Sequence, residues 1–141
     1  PYCVGRVHME TSRVEYLELP VSVVRSKGKA DEWVWGQPQA SSTVNSRGID
    51  IATDKRSKGD GWWWGYLGSP TVVGKHIYFT TMMGLTYTLD AEAEVLDERA
   101  LLGVSDLGVP GETWSLNSIS YSQGRLYHRS MKEIVCIGNQ P

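Results

Sequence analysis

Six tryptophans occur among 141 residues, and five of them, Trp33, Trp35, Trp62, Trp63 and Trp64, flank one polar segment together with Tyr66. That segment carries Asn45, Arg47, Asp54, Arg56 and Asp60. Flat indole faces beside guanidinium and carboxylate forks are what carbohydrate and peptide ligands use, and Trp and Arg are enriched among residues that dominate binding. If Trp62-Trp63-Trp64 is extended, Trp62 and Trp64 share one face and Trp63 takes the other. At least one indole then faces away from whatever core the others join. The candidate ligand surface is therefore Arg47, Arg56, Asp60, Trp62, Trp63 and Trp64, against the competing reading that these tryptophans only pack between sheets.

Other chemistry is poorly supplied. Asp50, Asp54 and Asp60 are hard oxygen donors of the kind Ca²⁺ requires, but their spacing does not fit an EF-hand loop. Arg47, Lys55, Arg56 and Lys58 compete for the same carboxylates, so the segment reads as a solvated, self-paired loop and no metal is expected. His8, His76 and His128 are isolated and read as strand-surface or structural residues. Gly68-Ser69-Pro70 lacks the Gly-x-Ser-x-Gly turn that would expose a nucleophilic hydroxyl. Cys3 and Cys136 lack the paired spacing of a zinc site and read as small buried hydrophobes within strands. A disulfide between them would need Cα atoms within about 7 Å, and the sequence leaves their redox state open.

Composition narrows the partners. Fourteen basic and sixteen acidic residues, for a net charge of −2, are spread along the chain and make no basic field for nucleic acid. No apolar run approaches the ~20 residues that span a bilayer as a helix. Hydrophobic content of 40% is that of a globular chain. Glycine, tryptophan and tyrosine richness favours strands and tight turns.

Those side chains must be positioned by short strands. Residues 2–4 and 14–19 read as strands joined by a turn through Glu10-Thr11-Ser12-Arg13, and Pro20 ends the pairing. Val14, Tyr16 and Glu18 share one face of the second strand while Glu15, Leu17 and Leu19 share the other. Apolar residues on both faces predict a strand buried between sheets. Ser26-Lys27-Gly28-Lys29 is a polar turn before a short strand at Trp33-Val34-Trp35. Residues 39–61 form a loop longer than compact domains usually tolerate without a function. A three-strand meander follows: Thr71-Val72-Val73, His76 to Thr81, and Leu85 to Leu89. Residues 90–103 admit either a helix or helical turn, with Asp90 as a possible cap and Gly103 as its end, or an outer strand around Glu94-Val95-Leu96.

The meander recurs. Gly74-Lys75-His76-Ile77-Tyr78, running into Gly84 to Leu89, is echoed by Gly124-Arg125-Leu126-Tyr127, running into Glu133 to Ile137. Tyr78 and Tyr127 lie 49 positions apart, as do Tyr87 and Cys136, a spacing within the range of propeller blades. Residues 66–90 and 114–138 are expected to be equivalent antiparallel meanders.

The pattern Ser69-Pro70, Val72, Gly74-Lys75, Tyr78, Gly84, Tyr87 and Leu89-Asp90-Ala91 resembles the PQQ-like β-propeller repeat family. Glu10 to Tyr16 is similar to the turn between the last two strands of such a blade, with Ser12 where Gly is usual and Tyr16 where Trp is frequent. The resemblance implies an all-β fold of roughly three blades, each an antiparallel four-stranded sheet. Residues 1–24 would be the end of one blade, 30–99 a second blade carrying the loop 39–61, and 100–141 the last. It further implies a secreted or periplasmic, cell-envelope parent, with the chain as its C-terminal part and the missing blades as its partners.

The function expected is non-catalytic binding or scaffolding, with a carbohydrate or protein ligand and no cofactor. The alternative implied by the same resemblance is part of a PQQ-dependent oxidoreductase, for which adjacent cysteines and a Ca²⁺ ligand set would be expected. The chain has no adjacent cysteines.

Overall fold

The computed structural model describes residues 2–36, 65–66, 68–82, 84–107, 115–130 and 133–138. Among these the chain is all-β, built from small antiparallel sheets with no α-helix. Strands β1 (Tyr2–Val7) and β2 (Val14–Leu19) form a two-stranded sheet, and β3 (Ser22–Val24) and β4 (Glu32–Val34) form another. Strands β5 (Thr71–Val73), β6 (His76–Thr80), β7 (Leu85–Asp90) and β8 (Leu101–Asp106) make a four-stranded meander. Strands β9 (Ser120–Ser122), β10 (Arg125–Arg129) and β11 (Ile134–Ile137) make a three-stranded one.

The core lies between the β1–β2 and β3–β4 sheets on one side and one face of the four-stranded sheet on the other. Tyr2, Leu17, Leu19 and Val23 meet Leu85, Tyr87, Leu89, Leu101 and Val104 there. The strand period explains the choice: Tyr87 stands opposite Phe79 and Val104, so these three share a face, while Thr80 and Thr86 pair on the reverse side and hydrogen-bond each other.

The two meanders share a plan and differ in register. Both first hairpins have two-residue turns, Gly74-Lys75 and Gln123-Gly124. In the first only Gly74 has positive φ (58°), whereas in the second both Gln123 (49°) and Gly124 (78°) do. These are the requirements of type II′ and type I′ turns. The glycine therefore moves one place within the turn, which accounts for the one residue fewer between Gly124 and Tyr127 than between Gly74 and Tyr78. The second hairpin slips: Thr80 pairs with Thr86, but Arg129 pairs with Ile134, one residue sooner. Tyr87 opposes Phe79, while His128, the counterpart of Phe79, opposes Val135. Cys136 is thus not the structural equivalent of Tyr87, because a one-residue slip changes the face that each side chain takes.

Of the two readings of residues 90–103, no strand forms at 94–96, and the helical one is met by a 3₁₀ turn at Glu98–Ala100 that leads into β8. Three further expectations are corrected. Strand β4 pairs with β3 and does not join β5–β7. The outer face of β2 is open to solvent, with Tyr16 73% exposed. Cys3 and Cys136 are both exposed free thiols; each sits on the outward side of a sheet that has no cover there.

Candidate functional site

The proposed ligand residues Arg47, Arg56, Asp60, Trp62, Trp63 and Trp64 lie outside the described residues, as do Asn45 and Asp54. The aromatic residues flanking them divide. Trp33 is half-buried against the core and Tyr66 packs there as well, whereas Trp35, just past the end of β4, is 41% exposed.

Tyr66 belongs to a cluster of phenols. Its ring centroid lies 5.6 Å from that of Tyr2 and 6.3 Å from that of Tyr87, and Tyr2 and Tyr87 are 6.3 Å apart. These separations suit edge-on and tilted aromatic contacts. The Tyr87 hydroxyl donates to the Pro20 carbonyl oxygen, while the buried hydroxyls of Tyr2 and Tyr66 lie toward the side chains of Thr81 and Tyr87 without a well-formed hydrogen bond among the described residues. Burial pushes the Tyr2 phenol up to about 12 and those of Tyr66 and Tyr87 higher still. Ionised phenolate is costly in such a setting, so the cluster holds neutral rings near neutral pH.

On the β9–β11 meander His128 is buried, and among the described residues both ring nitrogens lack hydrogen-bond partners. Burial lowers its pKa below the usual imidazole value, keeping the ring neutral. His8 and His76 are exposed. Among the described residues no group of three His, Cys, Asp or Glu side chains could hold a metal, and no helix is long and apolar enough to cross a membrane.

The more open feature is a cleft of about 430 Å³ lined by Tyr16, Leu17, Glu18, Trp35, Leu96, Asp97 and Glu98. One wall is β2. Its Tyr16 stands opposite Gly5, and a Cβ at position 5 would lie 3.2 Å from the Tyr16 ring. The glycine thereby leaves room for the phenol to lie across β1, an arrangement that covers a glycine in a strand.

The other wall is the loop before β8, held against the hairpin by Arg6. The Arg6 guanidinium bonds Glu15 Oε2 through Nε at 2.9 Å and Nη2 at 2.7 Å, and also donates to the carbonyls of Ala93 and Glu94. Arg6 and Arg13 beside Glu15 hold its carboxyl below the ordinary value. Asp97 caps the 3₁₀ turn by accepting from the Arg99 backbone N–H at 3.0 Å and grips the Arg99 side chain, which lowers the Asp97 pKa. Among the described residues neither Glu18 nor Glu98 has an ion-pair partner.

Sequence reasoning singled out Trp35 but neither Glu18 nor Glu98. The local signal for the first wall was the glycine facing an aromatic across a hairpin; no local signal brings residues 96–98 beside it.

The β9–β11 meander is tied to the β5–β8 meander at its entry. Ser69 N–H donates to Ser118 Oγ at 2.8 Å, and Thr71 Oγ1 donates to the Ile119 carbonyl at 2.6 Å. Gly68 presses on this seam: a Cβ there would sit 2.7 Å from the Asn117 carbonyl oxygen. The chain matches no protein-family model, no curated protein and no solved structure.

Proposed function

We propose that the chain is a non-catalytic β-propeller segment of the PQQ-like kind, working as a binding or scaffolding module of a secreted or cell-envelope protein. The observation that carries this reading is the seam between the two meanders. Ser69 and Ser118, 49 positions apart, occupy equivalent places before the first strand of each sheet and are bonded to one another. Successive blades bring their first strands together in this way around a propeller axis, with each sheet face covering the next.

The outer sheets support the same reading. Val7 and Val14 at the turn end of the β1–β2 sheet and Ile134 on β11 are exposed, and such side chains suit burial against further blades. The ligand, a carbohydrate or a protein, would meet the loop face bearing Arg47, Arg56, Asp60 and Trp62–Trp64.

The test replaces each of Trp62, Trp63 and Trp64 by alanine in the full-length protein and measures melting and binding to glycan and peptide panels. Lost binding with unchanged melting is expected at the outward-facing indoles. Loss of stability at all three, with no ligand found, would remove the loop as a site. Stoichiometric, Ca²⁺-dependent uptake of PQQ would replace the reading by an oxidoreductase.

A further inference from the structure

The cleft beside Trp35 runs along an unpaired strand edge. Among the described residues β2 is bonded to β1 on one side and to no strand on the other. In an antiparallel pair, hydrogen-bonded and non-hydrogen-bonded positions alternate. His8 N–H donates to the Arg13 carbonyl, which makes His8 and Arg13 a bonded pair. Counting along the register, Arg6–Glu15 and Val4–Leu17 are bonded pairs, and Gly5–Tyr16 and Cys3–Glu18 are the intervening ones. Tyr16 and Glu18 therefore turn their backbone N–H and C=O groups outward, into the cleft.

We propose that this edge, at Tyr16–Glu18, docks an extended peptide segment carrying basic side chains. Main-chain hydrogen bonds to an open edge supply affinity, and side-chain pockets at alternate positions supply selectivity. Leu96 gives the cleft an apolar side chain, while Trp35 and Tyr16 present aromatic faces that attract guanidinium and ammonium groups. Glu18 and Glu98 contribute two carboxylates that pair with no cation among the described residues, and Asp97 adds a third that is neutralised by Arg99. An acidic ligand would meet this charge with repulsion. This docking site does not depend on the propeller reading.

The experiment uses the full chain and fluorescence anisotropy with three labelled probes: a peptide alternating valine and arginine, its valine–glutamate counterpart, and the valine–arginine peptide with backbone N-methylation. The valine–arginine probe is expected to bind, and the other two are not. Double substitution E18K/E98K should weaken binding at least ~10-fold, since like charges then face one another, with the far-ultraviolet spectrum and melting unchanged. Trp35→Ala should weaken it further than Trp35→Phe.

Equal binding by the N-methylated probe would overturn strand addition, and equal binding by E18K/E98K would overturn the charge assignment. No binding by the valine–arginine probe would overturn the site. A dimer in light scattering that dissociates on Glu18→Pro, with no probe binding, would give the edge to a second copy of the chain instead.

Discussion

The β1–β2 and β6–β7 hairpins face each other across the core, yet among the described residues one forms a sheet by itself and the other is the centre of a four-stranded sheet. The difference arises in the residues that follow each second strand. After β7 the Asp90 side chain accepts from Glu92 N–H at 2.9 Å, and Asp97 then caps the 3₁₀ turn. These two local caps fold residues 91–100 back so that Leu101 arrives opposite Leu89. After β2 comes Pro20, which has no N–H to continue a ladder. Its carbonyl is taken by Tyr87 across the core, and the next N–H, that of Val21, bonds the Val34 carbonyl. Two short carboxylate caps extend a sheet where one buried proline diverts the chain and leaves an edge open.

The comparison is most severely tested at the residue that joins the two hairpins. Tyr87 is fully buried, and Tyr87→Ala should cost ~3–5 kcal/mol by removing a core ring, read as a lower urea midpoint. Tyr87→Phe keeps the ring but strands the Pro20 carbonyl, and should cost ~1–3 kcal/mol.

Next in size is the seam between meanders. Gly68→Ala would force a methyl group against the Asn117 carbonyl and should cost ~1–3 kcal/mol as an overpacked contact. Hydrogen exchange should quicken in β9–β11 while β1–β2 keeps its protection; unchanged exchange in β9–β11 would show that the seam does not bind the two sheets.

Titration separates the two ends of the molecule. The neutral, buried His128 has its folded pKa below the ordinary ~6.5. Between those values the unfolded chain binds a proton that the folded one refuses, so stability falls as pH drops from about 6.5 towards the folded pKa. His128→Leu should flatten that arm of the melting profile. Tyr2 behaves oppositely: its pKa is raised from 10.0 to about 12, so the stability tied to it is complete below pH 10 and is lost as pH rises through about 12. Tyr2→Phe should reduce the alkaline loss.

The smallest effect is expected on the hairpin surface. Arg6→Ala releases Glu15 and the Ala93 and Glu94 carbonyls, and should cost ~1 kcal/mol, chiefly through the lost charge-assisted hydrogen bonds. Because the Glu15 carboxyl is held low, stability from this contact is present above the ordinary carboxylate range and lost as pH falls through the folded pKa. The variant should show a shallower acid limb.

The linear order of side chains determined what depends on neighbours a few positions away. Alternation placed Tyr87 and Leu89 together on one face, Gly74 and Gly124 marked the hairpin turns that their positive φ values require, and Ser12, with φ 56°, does the work expected of glycine at its turn. Tertiary structure decided what depends on distant partners. The pairing of β8 with β7, the diversion at Pro20 and the exposure of Tyr16 turn on which surfaces meet, and period-two patterning cannot distinguish a face covered by another sheet from one left to solvent. The cleft is of the same kind. Tyr16, Trp35 and Glu98 are far apart in sequence, and only the Arg6 contacts to the loop before β8 and the open edge of β2 bring them around one space.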